Sequence, residues 1–270
     1  MELKDFNELV NHRLITDVTY YDYYKKNESE LAKLSMEEIA QRGFVAQPAA
    51  NVELVKSGID ALPSMSVAEF VKLLNEGGKI KLINNIYTEE MFTVSSDVVI
   101  DLNGFEIKKS NITESGKCVL FYVKGNGAKM TFEGNGKVTV DSGKMDIAVW
   151  SDAGAEVVIN SGDFHGVGNS DLIYAKGGKV KVNGGSFKLD NMNEKDFAQP
   201  QYSLLNAYGA NVNTAKNFIE VTGGKFYGFD PMNNVSEGVG TNFVVDGYES
   251  VETQPGVFEV QKVEIVVDEQ

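Results

Sequence analysis

The chain has 270 residues, 42% of them hydrophobic, which is enough for one elongated domain and a smaller accessory region. A formal net charge of −14, with arginine only at Arg13 and Arg42, argues against nucleic-acid binding, because phosphate contacts need clustered basic side chains. No apolar run approaches the ~20 residues of a membrane helix, and the single cysteine, Cys118, allows neither an intrachain disulfide nor a cysteine metal cluster.

Residues 1–60 are rich in charged and aromatic side chains and read as a helical region. The opening Met1-Glu-Leu-Lys-Asp-Phe-Asn-Glu lacks the basic start and apolar core of a signal peptide, so synthesis in a cytoplasm without export by the general secretory route is expected. Leu3, Phe6, Leu9 and Val10 fall on one face of a short helix. Asn27-Glu-Ser-Glu30 has the form of a capping box, opening a second helix with Leu31, Leu34 and Ile39 on its apolar stripe and Gly43 at its C-terminal cap. Between them lies Tyr20-Tyr21-Asp22-Tyr23-Tyr24, either a stacking platform for sugars or bases or an element buried in an oligomer contact. Phe6, Leu9, Tyr20, Tyr21, Tyr23, Tyr24, Leu31, Leu34 and Ile39 are therefore the candidate assembly residues.

Gly43 to Pro63 reads as a connector. Residues 61–78 form a linker and capping helix: Ser66-Val-Ala-Glu69 is a second capping box, Phe70, Val71, Leu73 and Leu74 supply the apolar face, and Gly77-Gly78 ends the helix. Lys79-Ile-Lys-Leu-Ile83 and Met91-Phe-Thr-Val94 then begin a strand-rich region that this helix is placed to cover at its open end.

Between Val98 and Phe229 one unit recurs: an alternating apolar stretch, a Gly- or Asn-bearing corner, and a further apolar position. The copies are Val98-Val-Ile-Asp-Leu-Asn-Gly-Phe105, Met130-Thr-Phe-Glu-Gly-Asn-Gly-Lys-Val138, Val157-Val-Ile-Asn-Ser-Gly-Asp-Phe164, Val180-Lys-Val-Asn-Gly-Gly-Ser-Phe187 and Ile219-Glu-Val-Thr-Gly-Gly-Lys-Phe226. Second apolar runs lie between them at 119–123, 147–150, 172–175 and 203–208. The pattern predicts two or three short strands per repeat, each stacking on its equivalent one repeat later. A meander of tight Asn-Gly hairpins is the competing structure, less suited because an apolar run accompanies every unit. Phe243–Tyr248 and Gly256–Val260, joined through Gln254-Pro-Gly256, predict a C-terminal hairpin across the last repeat. The expected architecture is mainly β, a right-handed parallel β-helix over 79–242 with a C-terminal β cap at 243–270.

Candidate chemistry is sparse. Asp141, Asp146, Asp152 and Asp163 are scattered near corners without an Asp-Asp pair. His165 follows Asp163-Phe164 and reads as a surface histidine on a turn. Asp190, Asn193, Glu194 and Asp196 crowd oxygen atoms into one loop, but their spacing matches neither an EF-hand nor a glycine–aspartate nonapeptide repeat, and a polar insertion loop is expected. Trp150, Tyr174 and Tyr208 recur at similar places in successive repeats, so they form either an exposed aromatic file able to contact glycans or an inward stack. No cofactor and no metal is expected.

These motifs resemble the right-handed β-helices of the pectate-lyase-like superfamily, and more narrowly the β-helical fibre, spike and decoration proteins of tailed bacteriophages. The resemblance covers roughly residues 66–262. It implies a non-enzymatic virion component, either a head fibre, a decoration protein or a tail-associated protein. In such a component residues 1–60 anchor to other virion proteins and the β-helix projects, as a homotrimer. Lyases of the superfamily use an arginine or lysine base with acidic calcium ligands, and its hydrolases use clustered aspartates. The repeats here contain no arginine and no adjacent aspartates, so the non-catalytic alternative is expected. The other reading is a β-helix that binds or cleaves a carbohydrate, such as a host-surface glycan.

Overall fold

The computed structural model describes residues 52–54, 67–82, 85–110, 117–142, 145–167, 171–190 and 203–264. The candidate assembly residues Phe6, Leu9, Tyr20, Tyr21, Tyr23, Tyr24, Leu31, Leu34 and Ile39 lie outside them, as do Asn193, Glu194 and Asp196. The fold is mainly β, with three sheets whose strands pair in parallel except at one end of the first sheet and one end of the second, where the pairing is antiparallel. The first, of seven strands, runs β1 (Val52–Leu54), β2 (Gly78–Leu82), β5 (Asp97–Asp101), β8 (Lys129–Glu133), β11 (Glu156–Ile159), β14 (Lys179–Val182) and β17 (Ile219–Val221). The second begins with β3 (Ile86–Thr88), β6 (Glu106–Lys109), β9 (Lys137–Val140), β12 (Asp163–Gly166), β15 (Ser186–Leu189) and β18 (Gly224–Tyr227). It ends with β20 (Val257–Lys262) and β19 (Tyr248–Gln254). The third has five: β4 (Phe92–Val94), β7 (Lys117–Val123), β10 (Met145–Asp152), β13 (Asp171–Lys176) and β16 (Ser203–Ala207). From β2 to β18 the chain visits the sheets in strict rotation, so each three-strand cycle lies on the one before.

The repeat register holds in space. Val98 pairs with Met130, Met130 with Val157, Val157 with Val180 and Val180 with Ile219. Residues 179–182 thus pair with the equivalent strands of neighbouring cycles, and the tight-hairpin alternative does not occur. The last apolar position of each unit also aligns: Val138, Phe164, Phe187 and Phe226. The first copy departs from expectation, because Ile107 and not Phe105 pairs with Val138. The corner at 102–105 is longer than the later ones, and the residue that turns inward is displaced along the chain. Ile107 is buried while Phe105 is half-buried.

Inward columns of Val, Ile, Leu and Phe form one continuous core. Through it runs a file of rings in contact: Phe70–Phe92 at 4.9 Å, Phe92–Phe121 at 5.5 Å, Phe121–Phe132 at 5.4 Å, Phe132–Phe164 at 5.2 Å, Phe164–Phe187 at 5.3 Å and Phe187–Phe226 at 4.9 Å between centroids. Polar ladders run beside it at the corners. Asn183 Nδ2 donates to Asn160 Oδ1 (3.0 Å), and Thr222 Oγ1 donates to Asn183 Oδ1 (2.9 Å). On the outer face of the first sheet Glu156 takes Lys129 (3.4 Å) and Lys181 (2.9 Å) from the cycles on either side.

Each end is closed. Helix α1 (Val67–Glu76) buries Phe70, Leu73 and Leu74 against the first cycle, Ser96 Oγ donates to Leu74 O, and the glycine at 77 ends the helix in a left-handed conformation. Val52–Leu54, within the expected connector, pairs antiparallel with β2. At the far end the expected hairpin forms with shifted arms: β19 and β20 pair antiparallel, and β20 closes the second sheet by pairing with β18. Phe243–Val245, expected in the hairpin, instead extends the first sheet. Val221 N donates to Phe243 O (2.9 Å) and Val245 N to Val221 O (3.0 Å), because Phe243 and Val244 are needed to cover the last core layer. The third sheet ends differently: Ala207 N, on the edge strand β16, donates to Glu237 Oε1 at 2.6 Å.

Candidate functional site

The third sheet carries a feature of its own on its outer side. Strict alternation breaks along β10: the adjacent Ala148 and Val149 both belong to the core, while Ile147 and Trp150 lie in a separate cluster. There Val119, Ile147 and Tyr174 form a hydrophobic cluster separate from the core, with Tyr122 and Trp150 packed on it. Tyr122, Trp150 and Tyr174 stand in register on successive strands. Their rings meet edge to face, Tyr122–Trp150 at 5.1 Å and Trp150–Tyr174 at 5.1 Å, and Tyr208 continues the file at 5.9 Å from Tyr174. Asn206, not Tyr208, pairs with Tyr174 in the sheet. The expected trio therefore does come together on the outside, but through two register-matched rings and one ring beyond the strand end.

Two lysines complete this face. Lys124 Nζ lies 5.4 Å from the Tyr122 ring, and Lys176 Nζ lies 5.8 Å from Trp150 and 5.2 Å from Tyr208, within cation–π range. The Tyr122 hydroxyl donates to Asp152 Oδ2, and that bond, aided by burial, pushes its pKa up to about 12. Burial first, then the carboxylate of Asp171, pushes Tyr174 up to about 12 as well. Both phenols are thus held neutral. Tyr174 is 6% exposed and Tyr208 57%, so the file is sealed in its middle and open where it reaches the C-terminal end. This arrangement offers partly exposed aromatic rings with cations at their margins, groups that can pack against sugar rings.

The other candidate residues are tied into separate local pairs. Asp141 accepts from Lys108 (2.9 Å), Asp146 from Ser142, Asp152 from Tyr122 and Asp163 from Ser186 (2.6 Å). His165, expected on an exposed turn, lies in β12 and is half-buried, with Nε2 3.0 Å from Asp190 Oδ2. Lys188 also reaches Asp190 (2.8 Å) and leads the contacts that lower the pKa of its carboxyl. The structure does not gather these aspartates into one centre.

Tyr122, Lys124 and Lys176 were not picked out by sequence, and Asp152 was read only as one of the scattered corner aspartates. Aligning Val119-Leu-Phe-Tyr122 with Ile147-Ala-Val-Trp150 would have found Tyr122, since the aromatic closes both runs. No family model matches this chain, and no curated protein or solved structure does.

Proposed function

We propose that this chain is a right-handed parallel β-helix acting as a non-enzymatic structural component of a tailed-phage virion. Residues 1–60 anchor it to other virion proteins, and the closed stack projects as part of a homotrimer. The observation that carries this reading is the construction of the stack. A single core with a ring file runs from α1 to the last cycle, cross-cycle ladders brace its sides, and both ends are covered. Such a body holds a fixed length and transmits position, which is what a projecting element requires. Light scattering coupled to size exclusion tests it. The full chain is expected to be trimeric and residues 52–270 monomeric, and a monomeric full chain would remove the assembly role assigned to the N-terminal region.

A second reading is favoured by the aromatic face. Carbohydrate binding along Tyr122, Trp150, Tyr174 and Tyr208 would use stacking on the rings, with Lys124 and Lys176 at their margins. On this reading a glycan array probed with the full chain gives binding that Trp150→Ala weakens at least about tenfold, the loss of one ring contact of roughly 1.5 kcal/mol. Binding unchanged in Trp150→Ala, or no binding at all, would discard it.

A further inference from the structure

The third sheet is the one whose C-terminal edge is closed by side chains. The turn that does this, residues 234–241, is pinched at its base. Asn234 N donates to Thr241 O (3.0 Å), Thr241 N to Asn234 O (2.9 Å), and Asn234 Nδ2 to Thr241 O (3.0 Å). Inside it Ser236 N bonds Asn234 Oδ1 (3.1 Å), and Glu237 N bonds Thr241 Oγ1 (3.2 Å). It is therefore a small preformed lobe on a neck. Among the described residues its hydrogen bonds to the stack beyond that neck are two: Glu237 Oε1 with Ala207 N (2.6 Å) and the Ser236 and Ser203 hydroxyls (2.5 Å). Backbone bonds, by contrast, close the other two sheets.

We infer that Glu237 is a proton-operated latch: its neutral carboxyl holds the lobe down on β16, and its ionisation releases the lobe and uncovers the strand edge. The surroundings explain why charge is the weak point. From β13, Asp171 and Tyr174 face the same place, and Asp171 Oδ1 accepts from Asn206 Nδ2 (3.2 Å). Asp152 stands behind Tyr174, and Tyr208 flanks it. Lys176, the nearby cation, is engaged over the Trp150 and Tyr208 rings. The carboxyl of Glu237 is pushed up to about 7, by burial first and by Asp171 in addition, while the Ala207 amide opposes the rise. Neutral, it still accepts from Ala207 through its carbonyl oxygen. Ionised, it sits partly desolvated beside a second carboxylate, and water outside the lobe is the better solvent.

The sign follows from the raised value. The closed state holds the proton more tightly than the open one, so closure is fully favoured below the ordinary carboxyl pKa of 4.5 and weakens as pH rises through about 7. Amide hydrogen exchange of Ala207 in the full chain, corrected for the intrinsic pH dependence of exchange, reads the opening. Its protection factor should fall about tenfold per pH unit from pH 5 to 7 and level off above, while Val158 in the middle of the first sheet stays unchanged. Glu237→Gln, which keeps the acceptor oxygen and loses the charge, should hold protection high and flat. A carbon-13 titration of the Glu237 side chain in the unmodified chain should show its midpoint near 7. The inference is overturned by flat protection in the unmodified chain, by the same fall in Glu237→Gln, by a parallel fall at Val158, or by a Glu237 midpoint near 4.5.

Discussion

Phe164→Ala should lower the unfolding free energy by about 3–5 kcal/mol, the usual cost of emptying a buried phenylalanine site. Phe164 is buried and sits mid-file, 5.2 Å from Phe132 on one side and 5.3 Å from Phe187 on the other. Neither neighbour can close the gap without leaving its own strand register, because Phe132 on β8 and Phe187 on β15 are each fixed by parallel pairing to the cycles on both sides. Contacts in a stacked fold run between adjacent cycles. The cavity therefore weakens the core packing that, with the backbone ladders, couples the cap-helix half to the C-terminal half. Urea unfolding followed by near- and far-ultraviolet circular dichroism should show a lower midpoint and a broadened or divided transition. A shift of less than about 1 kcal/mol would mean that the core collapses around the gap and that the ring file does not couple the cycles.

Gly185→Ala should be nearly as damaging for a different reason. Gly185 has φ +93° and occupies the corner position just before Ser186, which is paired with Asp163 of the previous cycle. A methyl group there would lie 2.7 Å from the carbonyl oxygen of Gly162, the acceptor for Ser186 N at 2.9 Å. The backbone penalty for an L-residue is ~1–2 kcal/mol, and the clash with a paired carbonyl adds to it, so a total loss of at least ~2 kcal/mol is expected. Gly104→Ala is the matched control: its φ is +84°, yet nothing lies within 4 Å of the added carbon. Thermal melts of the two variants separate conformational cost from steric cost. Equal losses would show that corner stacking tolerates a side chain.

The stacked register was legible because the same apolar spacing is repeated five times, and a cycle that must lie on its neighbour has no other way to align it. Phe105 was misplaced because spacing alone carries no information on corner length, and the first corner takes extra residues before the chain turns inward. Lys109 was illegible for a related reason. It occupies an inward position in register with Val140, where alternation predicts an apolar side chain, and its ammonium is satisfied by the carbonyl of Glu89. The C-terminal hairpin was visible in its turn, but Phe243 and Val244 were drawn away from it by an uncovered core layer. At the aromatic face Trp150 and Tyr174 could be found by recurrence. Glu237 could not: it stands once, in a turn without periodicity, and its role depends on the unpaired edge of β16.

The contrast between the repeated middle and the two unrepeated ends separates how long this molecule is from how it stops. Residues 156–178 make one whole circuit, since Glu156 and Lys179 occupy the same place one layer apart. Copying such a circuit in tandem would raise everything beyond it by about 4.8 Å while presenting α1 and the C-terminal cover with the surfaces they already meet. Reach is thus a countable quantity in this design, adjustable by duplication without reinventing either terminus.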